Sequence, residues 1–376
     1  GTKTMIQLAE LMKQLQSFVY VSTAYSNCDR KHIAEKFYDP VFSDEETITL
    51  LQHSERHERA LLLPHIIDRK PNTYIFTKAI AEDLVRKSGK HLPVVVVRPS
   101  VVMPTLAEPF PYYSNDNNSV MSLGGGIGIG LLRVTSFADD NKVDMITGDM
   151  TVNCILAATW KTAVTPDAAQ VYNYVGYENP VLIKEFMNVN LDNFRESKES
   201  FGEALWVPHH INVQNNFCMF VLYFFLHLVP GLFFSMVERY LNKKPMIMKI
   251  YRNFFLLHKT LRYIITNNWT FTNDNTKSLL FQLNTRDREL FDFNIASIHW
   301  MNYYSVMYRC ISLYNLKCDY NNKDYPKELY RRKMRYIEPV DKAIIWTFRF
   351  VLVYLSCKIL CAVLHVVILH VIWYVW

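Results

Sequence analysis

The sequence predicts an α/β fold: a partial doubly wound parallel sheet, then a mostly helical C-terminal domain and a C-terminal membrane helix. Three observations predict it. Short β-rich runs alternate with helical segments in the first part of the chain. Val94–Val97 is an unbroken β-branched run, of the kind that lies buried on both faces in the middle of a parallel sheet. The chain closes on Ile359–Trp376, 18 residues without Asp, Glu, Lys or Arg. Composition agrees: half of the 376 residues are apolar and 20% are charged, which excludes disorder. With 11 Gly and 15 Pro, a collagen-like or low-complexity chain is excluded too. The net charge of +6 comes with no basic stripe interleaved with aromatics, so nothing points to nucleic acid. The seven cysteines are odd in number and include no CxxC, arguing against a disulfide framework or a zinc site.

Taken in order, Thr2–Gln16 reads as a helix, with Met5, Leu8, Met12 and Leu15 at helical spacing. The chain starts at Gly1 rather than Met, and this opening resembles mid-protein sequence, so the expectation is a fragment. Phe18–Val21 reads as a strand ending in Ser22-Thr23. Ser43-Asp44-Glu45-Glu46 has capping-box spacing and opens a helix near Asp44. Pro71-Asn72-Thr73 opens another, which stops at Ser88-Gly89 before the Val94–Val97 strand. Residues 106–118 are irregular. Gly124–Gly130 is read as a flexible loop, because its intervals do not give GxGxxG and no strand leads into it. Domain limits are placed at 1–180, 181–340 and 344–376, the last a membrane anchor. A helix of 18 residues is ~27 Å long, and the hydrocarbon core it must cross is ~30 Å. Lys327, Arg331, Arg332, Lys333 and Arg335 lie just upstream and place the body on the cytosolic side. Trp373 and Trp376 are expected at the far interface. Phe217–Met236 is also apolar but contains Pro230-Gly231, which is expected to break it; a membrane-dipping hairpin and a buried helix pair compete there with a span.

The chemistry rests on Tyr74-Ile75-Phe76-Thr77-Lys78. A YxxxK spacing alone means little, since Tyr240…Lys244 and Tyr354…Lys358 share it. Only Tyr74…Lys78 lies on a helix preceded by a strand ending in Ser22-Thr23 and followed by another strand. Residues i and i+4 of a helix are neighbours. An ammonium placed there is expected to lower the tyrosine pKa. Such a phenol can donate a proton to a carbonyl oxygen as hydride reaches its carbon. Thr23 or Ser22 would hold that oxygen by a hydrogen bond, at the C-terminal ends of parallel strands where such sites lie.

The run Val21-Ser22-Thr23-Ala24-Tyr25-Ser26-Asn27, with Tyr74…Lys78 and Val97-Arg98-Pro99-Ser100-Val101-Val102, resembles the alcohol-forming fatty acyl-CoA reductases, its insect members above all. Asp287-Arg288-Glu289-Leu290-Phe291 and Ser297-Ile298-His299-Trp300 are similar to that family's C-terminal male-sterility domain. The resemblance implies a Rossmann-like NADPH-binding domain followed by a helical acyl-handling one. It implies reduction of a long-chain fatty acyl-CoA to a primary alcohol with two NADPH and no metal. Tyr74 would then be the proton donor and Lys78 its partner, also contacting the cofactor. Thr23 is the better match to the catalytic hydroxyl and Ser22 the reserve. Pro99, Ser100 and Val101 would lie beside the nicotinamide.

The family's glycine-rich phosphate loop has no counterpart here, nor do about four βα units of the sheet. Tyr112–Asn117 and Ile146-Thr147-Gly148-Asp149 depart from the family pattern, which bears on the substrate loop. Two other readings stand beside this one: a short-chain dehydrogenase acting on a sterol or other lipid carbonyl, and a non-enzymatic membrane-bound protein of the same fold. Membrane lipid is an expected partner. An endoplasmic reticulum or peroxisomal membrane is the expected location.

Overall fold

The computed structural model describes residues 1–67, 69–114, 120–138, 140–165, 169–196, 204–311 and 324–375. Helix α1 (Thr2–Glu10) leads to strand β1 (Phe18–Val21) and the short β2 (His32–Ile33). Three helices follow: α2 (Asp44–Gln52), α3 (Arg56–Ile67) and α4 (Thr73–Ser88). Then come β3 (Val94–Pro99), β4 (Val101–Met103), α5 (Val120–Gly128), β5 (Val134–Thr135), β6 (Lys142–Val143) and β7 (Met145–Thr147). Helix α6 (Gly148–Val164) and β8 (Gln170–Tyr174) complete the α/β part.

The main sheet is parallel, in the order β1-β3-β8. Phe18 pairs with Val94 and Val95 with Gln170, so β3 lies in the middle and all six of its residues are buried. Its two faces serve different cores. Val94 and Val96 pack with Ile6 of α1 and Val85 of α4, while Val95 and Val97 pack with Cys154, Ala157 and Ala158 of α6. Helices on both faces of a parallel sheet make the doubly wound, Rossmann-like arrangement. The local signals acted as expected: Ser43 and Glu46 form a complete capping box on α2, and Asn72 caps α4 by accepting from the Ile75 N–H.

Beyond β8 the chain is mostly helical. It runs through β9 (Val181–Leu182), α7 (Ile183–Glu196), β10 (Ile211–Asn212), α8 (Asn216–Tyr223), α9 (Val229–Tyr240) and α10 (Ile247–Thr266). After β11 (Thr270–Phe271) come α11 (Asp274–Gln282), α12 (Thr285–Leu290), α13 (Trp300–Cys310) and α14 (Asp324–Val375). The core that starts under β3 continues into this region without a seam, through Phe186, Leu279, Trp300 and Tyr304.

Three local expectations are corrected. First, α1 ends at Glu10 rather than Gln16. It docks through Ile6 and Ala9, leaving Met5, Leu8 and Met12 exposed, and residues 11–17 turn the chain into β1. Second, the glycine stretch is helix, not loop, over Val120–Gly128. Its glycines permit close approach: a Cβ on Gly126 would lie 2.7 Å from the Phe254 ring. Gly130 ends the segment at φ +73°, against the Trp206 carbonyl. Third, Pro230-Gly231 does not break the apolar stretch. A π-turn over Phe224–Leu228 joins α8 to α9, and Pro230 falls in the first turn of α9, where its missing N–H costs little. Helix α14 leaves its apolar side chains uncovered: Trp346, Phe350, Val353, Leu360 and Leu364 are all exposed. Two helical stretches, 216–240 and 328–365, are long and apolar enough to cross a membrane. Trp373 belongs to α14, though its side chain is outside the described residues, as are Trp376 and residues 115–117 of the departing loop.

Candidate active site

The parallel register brings the C-terminal ends of β1 and β3 to one rim. The Ser22 N–H donates to the Val97 carbonyl at 2.8 Å, extending the ladder by one residue. The chain then turns sharply: Thr23 is extended and caps a 3₁₀ turn over Ala24–Asn27. Its hydroxyl accepts, at 3.4 Å, from the Tyr25 N–H. The Thr23 side chain also lies beside the phenol of Tyr74, in the first turn of α4, near enough to oppose the rise in its pKa. Tyr74 is 50% exposed, which leaves that phenol open to a substrate. Tyr25 and Ile75, the neighbours on either side, are buried together with Ala24 and with Val101 packed against them. Thus the apolar cluster fixes the two backbones, with Thr23 buried and Tyr74 half exposed at the rim.

Lys78, one turn along α4, donates from Nζ to the Val21 carbonyl at 2.8 Å and stands 5.2 Å from the centre of the Tyr20 ring. Burial lowers its pKa, and the negative charge of Glu82 opposes the fall. Here an expectation fails. Lys78 does not depress the Tyr74 pKa, which burial instead raises, with the Thr23 side chain opposing. The ammonium is committed to the end of β1, so the phenol stays protonated through neutral pH.

Ser22 and Thr23 point to different places. Ser22 donates to the Glu82 carboxylate and Ser26 donates to the same oxygen at 2.8 Å. Glu82 is held by Arg98, from Nε to Oε1 at 3.0 Å and from Nη2 to Oε2 at 2.6 Å. Arg98 also donates to the Ala34 and Lys36 carbonyls. This buried network ties β1, the 3₁₀ turn, α4 and β3 together, and the sequence reading missed it. A signal was there: an Arg inside the apolar run of β3 needs a counter-ion, and Glu82 lies one turn beyond Lys78 on α4.

Pro99 ends β3 opposite Tyr174. The Ser100 N–H donates to the Tyr174 carbonyl and the Val101 N–H to the Asp144 carbonyl. Asp144 itself is buried, and desolvation pushes its carboxyl up to about 6, with the Ser100 hydroxyl and the Gly176 N–H opposing. The departing segment at Asp149 has a clear job. Its carboxylate accepts from the N–H groups of Leu106, Ala107 and Glu108 at 2.7–3.2 Å, which holds the irregular loop and lowers the carboxyl pKa despite burial.

Two family models, both described as male sterility protein, match residues 1–155 and 226–318. The chain belongs to the male sterility family. It is 35% identical over 325 residues to the fatty acyl-CoA reductase wat of Drosophila melanogaster, covering 86% of this chain and 62% of that protein. Against fatty acyl-CoA reductase 1 of Xenopus laevis it is 32% identical, covering 81% of this chain and 59% of that protein. The rat protein of the same name is 33% identical, with the same coverage. The chain thus spans about 60% of the length of these relatives. The first family match spans the 21–27 turn, Tyr74…Lys78 and β3, and the second lies within the helical region after β8.

Proposed function

We propose that the protein reduces a long-chain fatty acyl-CoA to a primary fatty alcohol with two NADPH, releasing CoA. The single observation that carries the reading is a half-exposed Tyr74 phenol beside Thr23 at the C-terminal rim of a parallel sheet, with Lys78 one helical turn away. The relatives named fatty acyl-CoA reductase supply the substrate class. In this reading residues 1–180 form the reductase domain, 181–340 the acyl-handling domain and 344–376 a single-pass anchor. Arg331, Arg332, Lys333 and Arg335 keep the body on the cytosolic side of an endoplasmic reticulum or peroxisomal membrane.

The residues fit a dinucleotide at the rim. An ammonium has three donors, and Lys78 spends one on Val21, leaving two for ribose hydroxyls. Ser100 and Val101 have their N–H groups engaged in strand pairing, so with Pro99 they form a rigid wall beside the nicotinamide. The cofactor, when bound, supplies hydride. Tyr74 donates its proton to the carbonyl oxygen as negative charge builds there, and a phenol with a raised pKa is in the right state to do so. Thr23 holds the same oxygen and orients the phenol. The exposed edge of Tyr74 lets solvent restore the proton. In the first round the thioester becomes a hemithioacetal, which expels CoA; the resulting aldehyde takes the second hydride and the second proton.

The test is product analysis. The full-length protein in microsomes, given a C16 acyl-CoA and NADPH, should yield free CoA and the alcohol with two NADPH consumed per alcohol. Accumulation of aldehyde with one NADPH consumed, or no CoA release, would overturn the reading.

A further inference from the structure

We propose that the helical hairpin of α8, α9 and α10 is a lipid-docking face that lies in the plane of an anionic membrane surface, separate from the anchor. By length alone, residues 216–240 could cross a bilayer. Three tethers prevent it. Before the helix, β10 pairs with β5 in the body. At its middle, the buried His227 accepts from the Arg133 N–H through Nε2 at 3.0 Å, again at β5. After it, α10 returns along α9, where a Cβ on Gly231 would lie 2.8 Å from the Tyr251 ring. Further along, His258 of α10 accepts from the Ser136 N–H at 2.9 Å. Both ends and the centre of the apolar helix are therefore fastened to the body, which leaves one long side facing out.

That side is apolar and unpartnered among the described residues. Phe217, Phe220, Phe225 (53%), Phe233 (61%) and Met236 are exposed along it. Its occupant is identified by charge. From Arg239 to Arg262 the chain carries seven Lys and Arg and no Asp or Glu. An exposed aromatic stripe beside an uninterrupted basic segment is the pattern that meets acyl chains and anionic headgroups. Between the helices opens a cleft of about 570 Å³, walled by Phe220, Phe224, Met248 and Phe255, with Lys249 and Arg252 also lining it. Apolar walls with two cations suit an acyl chain and its phosphate better than a protein surface. The base of α14 is tied to the same part of the body: the Arg133 guanidinium lies 4.7 Å from the Trp206 ring, whose indole donates to Asp341 of α14.

The experiment uses the full chain in vesicles of phosphatidylcholine with phosphatidylserine, so it does not depend on the catalytic reading. Phe225 and Phe233 are each replaced by p-benzoylphenylalanine, with the exposed Trp160 of α6 as the control position. Photolysis should crosslink radiolabelled acyl chains at 225 and 233 at least tenfold more than at 160. An impermeant amine reagent should label Lys243 and Lys244 on intact vesicles as fully as Lys142 in the body. Equal lipid crosslinking at all three positions would overturn the proposal, and so would a crosslinked dimer in place of lipid. Labelling of Lys243 and Lys244 only after permeabilisation would show a span and overturn the in-plane placement.

Discussion

Glu82→Gln perturbs the support of the site while leaving its exposed groups in place. Glu82 is buried and Arg98 is 0% exposed, so neither charge has water to fall back on. The two bonds from Arg98, at 3.0 and 2.6 Å, and those from Ser22 and Ser26 all converge on the carboxylate. Glutamine keeps the shape and one acceptor, but it turns an NH₂ towards the guanidinium and leaves a buried charge uncompensated. Removing one partner of a buried pair costs about 3–5 kcal/mol. At roughly 2–4 °C per kcal/mol for a body of this size, the thermal midpoint should fall by about 10 °C. Unfolding of the detergent-solubilised protein, followed by fluorimetry, reads this directly. Glu82→Met with Arg98→Met removes both charges and should recover part of the loss, though not all, because the Ala34 and Lys36 carbonyls lose their donors. A Glu82→Gln midpoint within about 2 °C of the parent would refute the reasoning.

Asp144→Asn should flatten the dependence of stability on pH. The folded carboxyl titrates near 6 against ~3.9 unfolded, so the folded state holds the extra proton and stability falls as pH rises from about 4 to 6. The parent should lose on the order of 2–3 kcal/mol across that window and the variant much less, as thermal midpoints at pH 4.5 and 7.5 would report. Equal slopes in the two proteins would show that Asp144 is not the group concerned. The glycines of the α5 segment give a paired comparison. Gly126→Ala meets the tip of the Phe254 ring and, at 3.3 Å, the Leu132 Cβ, both side-chain atoms, and ~1 kcal/mol of gained helix propensity offsets part of the crowding. Gly130→Ala meets the Trp206 backbone at positive φ, which costs about 1–2 kcal/mol before any clash. The second variant should be clearly the less stable in denaturant titration; similar midpoints would mean that the turn relaxes freely.

What the sequence disclosed followed from local rules. The β-branched run 94–97 could be buried on both faces only inside a parallel sheet, and it is. The capping residues Ser43 and Asn72 marked helix starts to within a residue because their side-chain bonds need no tertiary partner. Thr23, Tyr74 and Lys78 were legible as a group because strand end and helix start share one rim. What was hidden depended on distant partners. The glycines of α5 looked like a loop until Phe254, more than a hundred residues away, explained them. Lys78 was expected to serve the phenol, but the Val21 carbonyl claims it. Asp149 ends a stretch that departs from the family pattern, and only the fold shows it gathering three backbone N–H groups of the 106–108 loop.

The most direct measurement is turnover by Tyr74→Phe in the full-length protein, with long-chain acyl-CoA and NADPH. Losing this phenol should lower kcat at least a hundredfold, the usual worth of general acid catalysis, with acyl-CoA binding and membrane association unchanged. Alcohol formation at the parent rate would contradict the assignment of the phenol as proton donor.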